Sequence, residues 1–162
     1  MAKSEFRIEF DAEKVLATLA DLQERAEDLT PLMSELAGIL EDASERAFQN
    51  EQDPETGAAW ARLSATTKAK RSDPLASILQ DSGSLVGSLT TDHDARSATV
   101  GFAEKYASTH HHGAAKGEFG ETSRGAPIPW GEIPARPIVG IGESDRSEIR
   151  DAVSHYISSA FE

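Results

Sequence analysis

The chain has 162 residues, enough for one domain with its own core and too few for two ordinary ones. Its 16 Lys+Arg against 28 Asp+Glu leave a formal net charge of -12, which repels phosphate and argues against tight nucleic-acid binding. With no cysteine there is no disulfide framework and no thiol-based zinc or nucleophilic site, and no apolar run approaches the roughly 18 residues that span a bilayer.

Apolar residues make up 38% and aromatics 6%, a thin supply for a core, so some elements are expected to find burial against a partner. That favours an oligomer. Met1 leads straight into charged, alternating sequence without an apolar leader, so a soluble protein made in the cytosol is expected.

Phe6, Ile8 and Phe10 alternate with Glu5, Arg7 and Glu9, the period of a first strand with one buried face. Asp11 is placed to cap a helix running to about Asp28, with Val15, Leu16, Leu19, Leu22 and Ala26 on one face. Thr30-Pro31 reads as cap plus first position of a second helix to about Phe48. Its stripe is Leu32, Leu36, Ile39, Leu40, Ala43 and Ala47, and Gly38 is expected at a close helix contact.

From Asn50 to Arg71 the sequence is polar, with Trp60 and a short helix over 64–70 that Ser64 can cap. Asp73-Pro74 should begin another helical segment with Leu75, Ile78 and Leu79 inward, interrupted at Asp81-Ser82-Gly83 before Leu85, Val86 and Leu89. Leu89–Thr91 and Ala98–Phe102 flank the polar 92–96 as a hairpin that can pair with the first strand.

A helical pattern from Glu104 to His112 stops at Gly113, the usual left-handed cap. Residues 113–132, rich in glycine and proline, read as an extended loop of the kind that is functional or ordered by a partner. A short strand over Arg136–Ile141 should lead to Ser144, capping a last helix that buries Ile149, Val153, Tyr156, Ile157 and Ala160.

The histidine run His110-His111-His112 is the obvious metal candidate, yet consecutive helical residues point about 100° apart and cannot converge on one ion. Histidines at a helix C-terminus, favourable to the dipole, are the plainer reading. His93, between two aspartates, lacks a spaced partner. No Gly-x-Ser-x-Gly, Cys/His pair or Ser-x-x-Lys is present, and Gly140-Ile141-Gly142 lacks the rest of a phosphate loop. The many carboxylates form no paired, apolar-flanked arrangement and read as a solvated acidic surface.

Trp60 and Trp130 are each either core anchors or partner contacts, and Trp130, wedged between Pro129 and Gly131, favours the second. Ile133-Pro134-Ala135-Arg136-Pro137 holds Arg136 on a stiff, extended segment, where a guanidinium can clamp a carboxylate. The alternatives are a surface ion pair or a bridge to an acidic patch of a neighbouring copy.

Phe48, Pro54, Gly57, Trp60, Leu63, Thr67, Ile78-Leu79, Ser82-Gly83, Leu85, Val100-Gly101, Tyr106-Ala107, His110, Gly113, Ile133 to Pro137 and Gly140 together resemble the virion-morphogenesis and tail-completion family of tailed bacteriophages. Order and spacing carry the resemblance, which covers nearly everything after the second helix. The chain departs from it at His111 and His112, where glutamine and an aromatic or apolar residue are expected.

The resemblance implies a non-enzymatic part, without cofactor or metal, at the head-proximal end of a tail or in the neck. It implies a ring, by tail symmetry a hexamer, that meets tail-tube or head–tail connector proteins. The location would be the virion, after assembly in the host cytoplasm, with no membrane contact. Trp60, Tyr106, His110, Trp130 and Arg136 are the interface candidates, and acidic residues lining a lumen would let DNA pass without sticking.

The expected fold is a single α+β domain over 1–162, a small antiparallel sheet packed by several helices with the 113–132 loop. Alternatives are a head-side stopper, a metal-dependent hydrolase using His93 and His110, and an acidic inhibitor that mimics DNA.

Overall fold

The computed structural model describes residues 12–73 and 75–161. The expected first strand and the Asp11 cap lie outside the described residues. Within them, five α-helices and one two-stranded antiparallel sheet form an α+β arrangement. Helices α1 (Ala12–Glu27) and α2 (Thr30–Asn50) come first, then α3 (Ala65–Lys70), the hairpin strands β1 (Leu89–His93) and β2 (Ala98–Phe102), α4 (Ala107–His112) and α5 (Glu143–Ser158).

The long helix α2 is the axis of the domain, packing against both strands and α5. Pro31 lies in its first turn as expected, but Thr30 is already helical and the carboxylate of Asp28 accepts the Thr30 N–H instead (2.9 Å). The buried line is Leu32, Ala37, Ala43, Ser44, Ala47 and Phe48, while Leu36, Ile39 and Leu40 are only half-buried. Small residues at 43, 44 and 47 let neighbouring elements come close. Gly38 is exposed and a Cβ there would meet nothing within 4 Å, so among the described residues the expected close contact at that glycine is not made.

Glu51, after α2, adopts a left-handed conformation (φ 52°) unusual for a side-chain-bearing residue. Three contacts hold it. Its N–H reaches the Ala47 carbonyl, its carbonyl accepts from Trp60 N–H at 2.8 Å, and its carboxylate accepts from Ile78 N–H at 2.6 Å. The turn thereby brings residues 60 and 78 into one core.

That core joins Ala47, Phe48, Trp60, Ile78, Leu85, Ala107 and Ile138, with Phe102 and Val139 packed beside it. The Phe48 ring meets Trp60 edge-on at 5.5 Å and Phe102 at 5.7 Å. Such aromatic pairs contribute about 0.5–1.5 kcal/mol each beyond their buried area. The hairpin pairs Leu89 with Phe102 through His93 with Ala98, and Asp94 closes its turn by accepting from the N–H groups of Arg96 and Ser97 (2.7 Å each).

Three expected elements differ. No helix follows Asp73: Leu75 is 93% exposed, and Arg71 takes the Ala76 and Ser77 carbonyls (2.6 Å each) that a helix would use internally. The segment 136–141 is extended but not a strand: Pro137 lacks an N–H donor, and the Arg136 and Ile138 N–H groups donate to α4. The cap of α5 is Gly142, not Ser144, with Asp145 reaching back to accept the Gly142 N–H at 2.8 Å. On α5, Asp145 and Ala152 are buried, Ile149, Val153 and Tyr156 are half-buried, as is Ala160 just beyond it, and Ile157 is exposed.

Helix α1 forms as expected, but none of its residues is buried by the described chain, and Leu16 and Leu19 are 65% and 54% exposed. It is held at its C-terminal end. Tyr156 hydroxyl contacts the Arg25 and Asp28 carbonyls at 3.2 and 3.0 Å, and Arg25 donates to Ser159 Oγ at 2.8 Å. The described residues leave the apolar face with Val15, Leu16 and Leu19 open beside Phe161.

Candidate interface cleft

Between α3, α4 and the proline-rich segment lies a cleft of about 490 Å³. Its walls are apolar, from Leu63, Leu79, Leu85 and Pro134, and its polar groups include Tyr106, His110 and Arg136. Local rules build it. Ser64 caps α3 by accepting the Thr67 N–H at 3.1 Å, which turns the chain from the Trp60 segment along the rim. Leu79 sits at φ +64°, a strained position that aims its side chain into the cleft wall.

Helix α4 is stitched to the extended segment at several points. The Arg136 N–H donates to the His110 carbonyl (2.7 Å), the Ile138 N–H to His111 Nδ1 (3.2 Å), and Ala114 exchanges both bonds with Ile133. Gly113 makes this approach possible: a Cβ there would lie 2.7 Å from the Ile133 oxygen and 2.8 Å from the Ala135 nitrogen. Its φ of +78° with ψ of 178° is an extended glycine conformation and not the left-handed cap expected.

Arg136 is 5% exposed. Among the described residues its guanidinium makes one hydrogen bond, from Nε to the Ala61 carbonyl (3.0 Å), and no ion pair. Burial pulls its pKa below the ordinary value. Beside it, His110 Nδ1 is buried without a hydrogen-bond partner. Burial, and secondarily the Arg136 charge, holds the His110 pKa below its ordinary value, and the Tyr106 ring meets the imidazole edge-on at 5.8 Å.

Other cations near the cleft are differently committed. Arg71 is fully engaged, by Ala76, Ser77 and the Asp81 carboxylate at 3.5 Å. Arg62 lies exposed on the rim.

Of the five residues singled out in the sequence, Tyr106, His110 and Arg136 meet in this cleft. Trp60 does not present a surface: it is 5% exposed, and its indole N–H donates to the Pro137 carbonyl at 2.9 Å behind the cleft. Trp130 stands apart at 73% exposure, with Lys70 Nζ 4.7 Å from its ring centre. Sequence reasoning missed Leu79, whose backbone strain has no sequence signature, and Phe119, an exposed aromatic that the Gly/Pro context flagged as plainly as it did Trp130.

Residues 114–132 fold back on themselves as a hydrogen-bonded arm. Gly117 N–H reaches the Pro129 carbonyl (3.0 Å), Phe119 N–H the Ile128 carbonyl (2.8 Å), and Thr122 N–H the Ala126 carbonyl (2.8 Å). Phe119 is 55% exposed on it.

His93 ends β1, exposed and outside the residues that line the cleft with His110. Among the described residues no group of three or more His, Asp or Glu is placed to hold a metal. No described helix is long and apolar enough to cross a membrane.

The described fold is thus a helical α+β domain with an apolar cleft, an arginine buried there without an ion pair among the described residues, and an adjacent hydrogen-bonded arm. The comparisons agree on its kind. The sequence profile of the phage virion morphogenesis family matches residues 10–158, and the chain belongs to that family. It is 35% identical over 128 residues, 77% of each chain, to protein G of Escherichia phage Mu, provisionally named a capsid assembly protein. It is 28% identical over 146 residues, 90% of this chain and 91% of the other, to the Mu-like prophage FluMu G protein 2 of Haemophilus influenzae. With the FluMu G protein 1 of that organism the identity is 32% over 127 residues, 76% of this chain and 75% of the other. No solved structure matches the chain.

Proposed function

We propose that the protein is a non-enzymatic, ring-forming component that completes the tail or joins it to the head. The observation that carries this reading is that the described fold leaves apolar side chains exposed on two separate elements, Leu16 and Leu19 on α1 and Phe119 and Trp130 on the arm. A subunit of a ring stacked on a neighbour needs more than one contact surface, and a head-to-tail ring contact needs two different patches. The shortage of core residues in the sequence has the same meaning.

In this reading the partners are further copies of the chain, a hexamer by tail symmetry, and tail-tube or connector proteins, within the virion. Carboxylates facing the lumen repel DNA phosphate and let the genome pass. The name of the phage Mu relative favours a second reading, a connector on the head side.

Reconstitution separates the two. An extract lacking the protein should accumulate filled heads and unjoined tails under the electron microscope. Purified protein incubated with isolated tails, then mixed with heads, should restore joined particles. Restoration only when heads are treated first transfers the protein to the head side, and joining without the protein at all removes both readings.

A further inference from the structure

We infer that the cleft floored by Arg136 receives the 114–132 arm of a second copy of this chain, Phe119 entering the apolar part and Glu121 pairing with the guanidinium. The inference deepens the ring reading above and rests on it. Arg136 states the problem: a guanidinium 5% exposed, bonded among the described residues once to a carbonyl and to no carboxylate, is an incomplete arrangement. The adjacent His110 Nδ1, buried and unpartnered, repeats it. Buried cations are ordinarily paired, and bidentate pairing with a carboxylate suits the planar guanidinium.

The occupant must bring an apolar group and a carboxylate together. The arm does so, with Phe119 between Glu118 and Glu121. Glu118 is partly used, accepting the Ala115 N–H at 2.6 Å, whereas Glu121 is exposed and has no ion pair among the described residues. The arm also carries Lys116 and Arg124, and the cleft presents Glu132, so both signs have a counterpart in the docking.

No residue of 114–131 lines the cleft of its own subunit. It is rooted at the cleft edge by the Ala114–Ile133 pairing and held in a ladder that leaves Phe119 exposed. An arm that leaves one subunit and a cleft that opens on the same subunit are two different patches, which makes the contact heterologous and able to close a ring. A pre-ordered arm also loses little conformational freedom on docking.

The test uses purified full-length chain, by light scattering, with and without tail-tube protein. Phe119→Ser removes the arm's anchor, and Ser82→Trp fills the cleft from an exposed wall position that leaves the buried groups untouched. Wild type should assemble, each variant alone should be monomeric with an unchanged melting curve, and the two variants mixed should form a dimer, since one intact arm and one intact cleft remain. Arg136→Gln and Glu121→Gln should each weaken association about tenfold or more, with the double variant no worse than either single one.

Wild type that stays monomeric even with tube overturns the ring reading itself. Rings unaffected by the variants, or monomeric variants that fail to pair on mixing, overturn the arm-and-cleft contact and leave the ring reading standing.

Discussion

The indole N–H of Trp60 donates to the carbonyl of Pro137 at 2.9 Å, joining two segments 77 positions apart in the chain. Because Pro134 and Pro137 remove two N–H donors from this segment, it has few ways to be held by a backbone ladder. A side chain does it instead. This bond, with the Arg136 and Ile138 N–H contacts to α4, sets where the cleft floor lies.

Trp60→Phe keeps the stacking on Phe48 but leaves the Pro137 carbonyl without its donor, and should cost about 1–3 kcal/mol. Trp60→Ala also empties a core site and should cost about 3–5 kcal/mol. Urea unfolding midpoints with unchanged slopes check both, and a Phe variant as stable as wild type would remove the bond's importance.

One substitution type should act with opposite signs at two glycines. Gly113→Ala places a Cβ against the Ile133 and Ala135 backbone at a positive φ, and should destabilise by at least about 2 kcal/mol. Gly38→Ala, in an exposed helical position with open space, should stabilise by about 0.5–1 kcal/mol. Thermal melts of the two variants decide.

Asp145, 3% exposed, accepts from Arg46 on α2 at 2.5 Å and from the Gly142 N–H, so it ties α5 to α2 and caps α5 at once. Asp145→Ala should cost about 2–4 kcal/mol, at the lower end because Arg46 is 40% exposed and can rehydrate. In a double-mutant cycle with Arg46→Ala the two losses should be strongly non-additive. Additive losses would show that the pair is not coupled.

Stability should fall on mild acidification. Burial is the first cause that depresses the folded pKa of both His110 and His111; for His111 the His112 charge adds to it and Asp53 opposes it. The unfolded chain then binds more protons between the folded values and the ordinary 6.5. The contribution is therefore fully present above about pH 6.5 and is lost as pH drops toward the folded values. Protonating His111 Nδ1 also removes the acceptor of the Ile138 N–H. His111→Asn, which keeps an acceptor and does not titrate, should flatten the pH dependence of the melting temperature; an unchanged profile would exclude His111 as its source.

Helices α1, α2, α3 and the β1–β2 hairpin were legible because each is specified by local rules: apolar spacing, Ser64 before a short helix, Pro31 in a first turn and a polar run between β-formers. The segment after Asp73 misled because its helical spacing is real, but Arg71 captures the carbonyls a helix needs. The α5 cap misled because Ser144 is a good local cap, while only Gly142 tolerates the Pro54 oxygen, 2.6 Å from where a Cβ would stand.

Composition, charge and motif order by themselves determined the α+β class and the virion-morphogenesis family, and singled out Tyr106, His110 and Arg136 as candidates that the fold brings into one cleft. Those follow from residue identity and spacing, which a sequence displays directly. Only the tertiary structure decided that, among the described residues, Arg136 is buried without a carboxylate, Trp60 serves the core and the apolar face of α1 is uncovered. Burial and pairing depend on which distant segments fold against one another, and here Glu51, Gly113 and the Trp60–Pro137 bond made that choice.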